Sequence, residues 1–186
     1  FRGVAQLISY EVPLFLSLLV PVFLARSMGV NSIVEAQGQG GVWFIVMAPL
    51  AAIIYFVSAL AEVGRAPFDL LEAESEIVAG VHLEYSSMKF ALFFMGEYVK
   101  MFSMSAVFST LFLGGFAGPF VDQVPWLGPV YLLAKIIFCL GIMIWVRATL
   151  PRFRYDRLMK FGWKVLLPFA LVNIVLTAGI ISIFGL

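Results

Sequence analysis

Cysteine and histidine are almost missing from this chain of 186 residues, which has one of each, Cys139 and His82. A single cysteine excludes a disulfide framework, and one histidine beside it leaves no ligand set for a zinc, haem or iron–sulfur centre held by this chain alone. Any redox metal in its chemistry must sit on another subunit. Charge is scarce too: 12% of residues are Asp, Glu, Lys or Arg, where a soluble domain carries about 25%. The net charge is +1, and there is no basic run of the kind that grips nucleic acid. No serine–histidine set for an intramembrane hydrolase is present, no signal peptide is visible, and no internal repeat of the secondary-transporter type is seen.

What the sequence does hold is apolar. Hydrophobic residues make up 62% of it and the mean hydropathy is +1.03, which makes it an integral membrane protein. A crossing of roughly 30 Å of hydrocarbon takes about 20 apolar residues on a helix. Five segments qualify, at about 8–26, 42–62, 89–113, 129–147 and 164–185. The expected fold is therefore all-α: a polytopic membrane protein with five transmembrane helices in a single membrane domain. Pro13, Pro21, Pro49 and Pro168 fall inside spans, where membrane helices tolerate proline. Cys139 reads as a small core residue, and His82 as a loop hydrogen-bonding group.

The basic residues orient these spans. Arg2, Arg65, Lys89, Arg147, Arg152, Arg154, Arg157, Lys160 and Lys164 fall on one side, against Arg26 on the other; Lys100 and Lys135 lie within spans. Such asymmetry is the positive-inside signal. It places an acidic loop (63–88) and a basic loop (148–163) together on the negative, cytoplasmic-type face. Most of the basic loop reads as an interfacial anchor whose Arg and Lys stems reach lipid phosphates. Arg147, at the end of its span, is the better candidate to face the acidic segment.

The carboxylates are concentrated. Glu62, Asp69, Glu72, Glu74, Glu76, Glu84 and Glu97 are seven of the eleven in the chain. Intramembrane carboxylates are costly and rarely persist without a task or a partner. Glu62 and Arg65, three apart, can pair on one helix face, and Lys100 is placed to pair with Glu97 one turn away. Glu72 and Glu76 share a face and repel. Glu11 and Glu97 each stand beside a tyrosine within a span. The spacing leaves two readings open: a solvated acidic loop, or a site where protons, ions or a polar headgroup are handled. A file of Glu11, Glu62, Glu97 and the loop carboxylates would pass protons through waters and tyrosine hydroxyls. Phe68, Phe93 and Phe94 would line the site of an aromatic ring or isoprenoid tail.

The runs ISYE (8–11), IVEAQ (33–37), AEVGRAPFDLLEAESEIVAG (61–80), HLEYSSMKFALFFMGEY (82–98) and RATLPRFRYDRLMKFGWKVLLP (147–168) closely resemble the H-type subunit of NADH-quinone oxidoreductase, respiratory complex I. This is the core membrane subunit that holds the quinone channel, and its mitochondrial counterpart is subunit 1. The resemblance covers essentially the whole chain and looks like that family's last five spans, with an earlier N-terminal part expected before Phe1. It implies a membrane subunit that forms part of a quinone chamber and couples quinone reduction to proton translocation through buried glutamates. Carried over by motif, Glu11, Glu62, Glu72, Glu74 and Glu97 are the expected proton path. Arg65, Phe68, Asp69, Phe94 and Arg147 are the expected quinone cavity. Ubiquinone or menaquinone is the implied substrate, with NADH, FMN and iron–sulfur clusters on partner subunits. The implied partners are hydrophilic iron–sulfur and quinone-site subunits, antiporter-like and small membrane subunits, and the bilayer. The implied location is a bacterial cytoplasmic membrane, or alternatively the mitochondrial inner membrane. A membrane-bound hydrogenase subunit and a stand-alone ion transporter are the rival readings. Leu71 and Lys100 depart from the family pattern.

Overall fold

The computed structural model describes residues 2–64, 67–68, 88–119, 121, 124, 126–151 and 153–184. Among the described residues the chain is helical and has no strand. Its helices are α1 (Arg2–Ala25), α2 (Val30–Gly40), α3 (Phe44–Met47), α4 (Pro49–Val63), α5 (Met88–Phe112), α6 (Leu127–Thr149), α7 (Tyr155–Phe161) and α8 (Leu167–Phe184). A π-helical turn, Gly162–Leu166, joins α7 to α8.

Four helices are long and apolar enough to cross a membrane by length and composition: Val4–Ala25, Met88–Phe112, Leu127–Thr149 and the run Tyr155–Ile183. The shorter α4 is apolar as well. The chain is a polytopic membrane protein. Large apolar side chains such as Ile53, Phe138, Trp145, Val175 and Ile183 stand exposed on the outside of the bundle, as a lipid-facing surface requires.

Two expected boundaries change. The stretch at 42–62 is divided because Pro49 has no N–H to give, and Ala48 leaves helical geometry at φ −131°. Ala48 and Ala52 still donate to Phe44 and Ala48 at 2.8 and 3.2 Å, so α3 and α4 continue one path. The expected loop at 148–163 contains α7, which extends the last helix back to Tyr155. The amphipathic α2 lies in a stretch given no helix from the sequence.

In the bundle, α1 packs against α4 and α8, and α5 packs between α4 and α6. Fully buried Tyr10, Tyr55 and Phe112 anchor the core. Tyr55 stacks on Phe108 at 5.7 Å, and its hydroxyl donates to Met104 O at 3.1 Å. At the opposite end, Lys135 Nζ donates to Gly115 O and Ala117 O at 2.9 and 2.8 Å and lies 5.3 Å from the centre of the Trp43 ring. This closes the turn after α5.

Candidate functional site

The site begins where α4 stops. Gly64 adopts φ 75°, a left-handed conformation that glycine takes without a Cβ penalty, and it turns the chain toward the acidic segment. Pro67 and Phe68, just beyond, are firmly held. The Gln6 side-chain amide donates to Ala61 O at 3.2 Å and Phe68 O at 2.8 Å, and the Phe153 N–H donates to Pro67 O at 3.0 Å. The Phe68 ring, 5% exposed, sits 5.6 Å from Tyr10 and 5.9 Å from Phe153. The start of the acidic loop is thus tied to the basic loop and to α1. The expectation that both loops share one face agrees with this tie.

Behind Phe68 is an apolar cavity of about 430 Å³. Phe56 and Leu60 of α4, Val146 and Leu150 at the end of α6, and Phe153 and Phe161 around α7 form its walls, with Arg157 also in the lining. A largely apolar, aromatic-walled space with one cation suits a greasy ligand that has a polar end. Its floor is kept in place by Tyr10, whose hydroxyl donates to Leu158 O at 2.9 Å. Trp163 Nε1 donates to Ser9 Oγ at 2.9 Å and fixes the π-helical turn against α1.

On the α5 side of the same turn lies an ion pair. Lys100 Nζ is 3.0 Å from Glu62 Oε1 and donates to the Glu62 backbone oxygen at 2.5 Å. One ammonium therefore serves both the carboxylate and a carbonyl left open at the C-terminal end of α4. The pair is partly shielded, with side-chain exposures of 38% for Lys100 and 19% for Glu62. Lys100, expected from its spacing to pair with Glu97 on its own helix, makes this ion pair across to α4. Helices α4 and α5 lie side by side here, so α4 offers Lys100 both a carboxylate and a carbonyl.

Comparison with known proteins bears on what this geometry serves. The family model described as NADH dehydrogenase matches residues 1–178. The chain belongs to that family. It is 50% identical over 186 residues to a protein from Rhodospirillum centenum named as the H-type subunit of NADH-quinone oxidoreductase, covering 98% of this chain and 54% of that protein. A protein of the same name from Dehalococcoides mccartyi strain CBDB1 is 52% identical over 177 residues, covering 95% of this chain and 48% of that protein. The Geobacillus thermodenitrificans protein of that name is 52% identical over 184 residues, with 98% and 54% covered. The chain spans about half the length of the curated relatives it matches.

The residues expected from this NADH dehydrogenase resemblance fall in several places. Phe68 lines the cavity, and Glu62, in the last turn of α4, holds the ion pair with Lys100. Glu97 is half-buried on α5, within one turn of Lys100. Phe94, also on α5, packs its ring 4.9 Å from Phe90 and 6.4 Å from Tyr98 and is not in the cavity wall. Arg147 is exposed in the last turn of α6, next to the lining residue Val146. Glu11 is exposed on α1, beside buried Tyr10, and makes no ion pair among the described residues. Arg65, Asp69, Glu72 and Glu74 lie outside the described residues, as does His82.

Sequence reasoning missed Gln6, Leu150, Phe153 and Phe161, and read Arg157 as an anchor alone. Gln6 carried a usable signal: an uncharged amide near the start of an apolar span has to find partners when it is buried.

Proposed function

We propose that this chain is part of the core membrane subunit of a proton-pumping NADH:quinone oxidoreductase. It contributes to the quinone chamber and couples quinone reduction to proton translocation through Glu11, Glu62, Glu72, Glu74 and Glu97. The observation that carries the reading is the apolar cavity behind Phe68, at the end of α4 that also carries the Glu62–Lys100 pair, in a chain about 50% identical to proteins named as subunits of NADH-quinone oxidoreductase.

In this reading the quinone is the substrate, and its isoprenoid tail occupies the aromatic cavity. Ubiquinone and menaquinone both meet that chemistry. Two electrons arrive from iron–sulfur clusters on hydrophilic partner subunits, supplied in turn by NADH and FMN there, and two protons complete the quinol. Arg65, Asp69 and Arg147 form the charged collar, with Phe68 in the apolar wall and Phe94, outside that wall, contributing to the chamber from α5. In this reading a change of charge at the quinone shifts the proton occupancy of the carboxylates that are shielded from water. Protons then leave along the glutamates toward antiporter-like membrane subunits. The setting is a bacterial cytoplasmic membrane.

A photoreactive quinone added to the intact parent complex tests the chamber. Labelling of peptides within 56–68 and 146–161, suppressed by excess native quinone, is expected. Specific labelling confined to other parts of the complex would overturn the assignment of the cavity.

A further inference from the structure

The ends of α1 and α8 enclose a second cavity, of about 450 Å³, that the quinone reading does not use. Both helices run away from the basic loop, since Tyr10 bonds Leu158 and Trp163 bonds Ser9 near their starts. The cavity therefore lies at the opposite end of the bundle, and its wall residue Phe23 is about 20 Å along α1 from Tyr10. Val22 and Phe23 of α1, Met28 of the following turn, and Ala178 and Ile181 of α8 make the lining apolar. Its polar side chains are Arg26, Ser27 and Ser182.

Arg26 is the unusual residue. Among the described residues it is the one non-glycine at positive φ, 51°, in a position just past a helix that glycine or asparagine normally takes. Its N–H donates to Phe23 O at 3.3 Å and closes the last turn of α1. Strain of this kind clusters at ligand sites and clamps. Arg26 makes no ion pair among the described residues, and no carboxylate among them lines the cavity. It is also the one basic residue that the order of spans leaves on this face outside the helices, where cations are scarce. The apolar run Val4–Ala25 uses up about 30 Å of hydrocarbon, so Arg26 falls where lipid headgroups begin.

A guanidinium matches a phosphate with paired N–H donors. Ser27 Oγ accepts from the Gly29 N–H at 3.2 Å, which leaves its own proton to donate. The ligand that fits joins a phosphodiester to a hydrocarbon chain. A headgroup ammonium would find no counter-charge in this lining, so a lipid of net negative charge is favoured over a zwitterionic one.

We propose that the groove between the ends of α1 and α8 binds an anionic phospholipid. Its phosphate sits on Arg26 and Ser27, and one acyl chain lies along Phe23, Ala178 and Ile181. The site stands independently of the quinone reading, which concerns the other end of the bundle.

A phosphatidylglycerol with a photoreactive acyl chain, added to the intact parent complex in nanodiscs, tests the site. Wild type, Arg26→Gln and Ala178→Trp are compared; both positions are exposed, so neither change disturbs the core. Wild type should be labelled in peptides containing 22–28 and 178–182, and excess phosphatidylglycerol, but not phosphatidylethanolamine, should suppress the labelling. Arg26→Gln should lower it roughly tenfold, the size set by hydrogen bonding to a charged group. Ala178→Trp, which fills the groove and keeps Arg26, should abolish it. Equal labelling of wild type and Arg26→Gln, equal competition by the two lipids, or labelling confined to other peptides overturns the site. So does a map of the intact complex in which a protein segment fills the groove. If a variant does not assemble, the competition in wild type decides.

Discussion

Gln6 of α1 holds the carbonyl oxygens of Ala61 and Phe68 with a single amide nitrogen, at 3.2 and 2.8 Å. This clamp joins the last turn of α4 to the first residues of the acidic loop and sets the Phe68 ring against Tyr10. The geometry of the proposed quinone site and the bundle packing therefore depend on the same side chain. Gln6→Leu should lower the stability of the assembled complex by about 1–3 kcal/mol, because two buried carbonyls lose their donor. The apparent KM for quinone should rise with it. Thermal unfolding of the purified complex and quinone titration check the two effects, and an unchanged KM would separate the clamp from the cavity.

The Phe68 ring is the part of the cavity wall closest in sequence to the acidic run. Phe68→Ala removes a large buried aromatic, at a cost of about 3–5 kcal/mol in a well-packed core. Phe68→Leu keeps most of the volume and should cost less. In the quinone-chamber reading, Phe68→Ala raises KM for a long-tailed quinone more than for a short-tailed analogue. Steady-state kinetics with both substrates decides this, and equal effects on the two would place the tail elsewhere.

Much of this arrangement was legible in the sequence, and the limits have physical causes. Apolar runs found the long helices because span length is fixed by bilayer thickness. The division at Pro49 and the extension of the last helix to Tyr155 were not legible. The first depends on one missing N–H in an otherwise continuous apolar run. The second depends on charged residues that read as loop but sit on a helix continuous with the last apolar run. Phe68 was found through its motif, whereas Phe153 and Phe161 reach the cavity only through tertiary packing. Lys100 was assigned to its own-helix neighbour Glu97, since sequence spacing reveals partners along a helix and not across two.

Lys100→Met tests the cross-helix pair. It leaves the Glu62 carboxylate partly buried without its cation, which is more damaging than losing the whole pair. Because Lys100 is 38% exposed, solvent screening limits the cost to about 1–3 kcal/mol. The double variant Lys100→Met/Glu62→Gln should recover part of that loss. A double-mutant cycle on complex stability measures the coupling, and additive losses would show that the two residues act independently.

Lys135 provides a contrast. Its ammonium holds Gly115 O and Ala117 O beside Trp43, at the other end of the bundle from the cavity. Lys135→Met should destabilise the complex by about 1–3 kcal/mol while leaving the quinone KM and the protons translocated per quinone unchanged in the fraction that assembles. Thermal unfolding and proteoliposome assays on the same preparation check both halves of that expectation.

The most direct test of proton coupling through Glu62 is the number of protons translocated per quinone reduced by the intact complex carrying Glu62→Gln. A carboxamide preserves the shape of the side chain and the contact of its oxygen with Lys100, but it cannot cycle a proton. The expected result is a correctly assembled complex in which translocation falls by an order of magnitude or more, roughly the contribution of one positioned proton-transfer group. A fully assembled Glu62→Gln complex that pumps with the wild-type ratio would contradict the proposal.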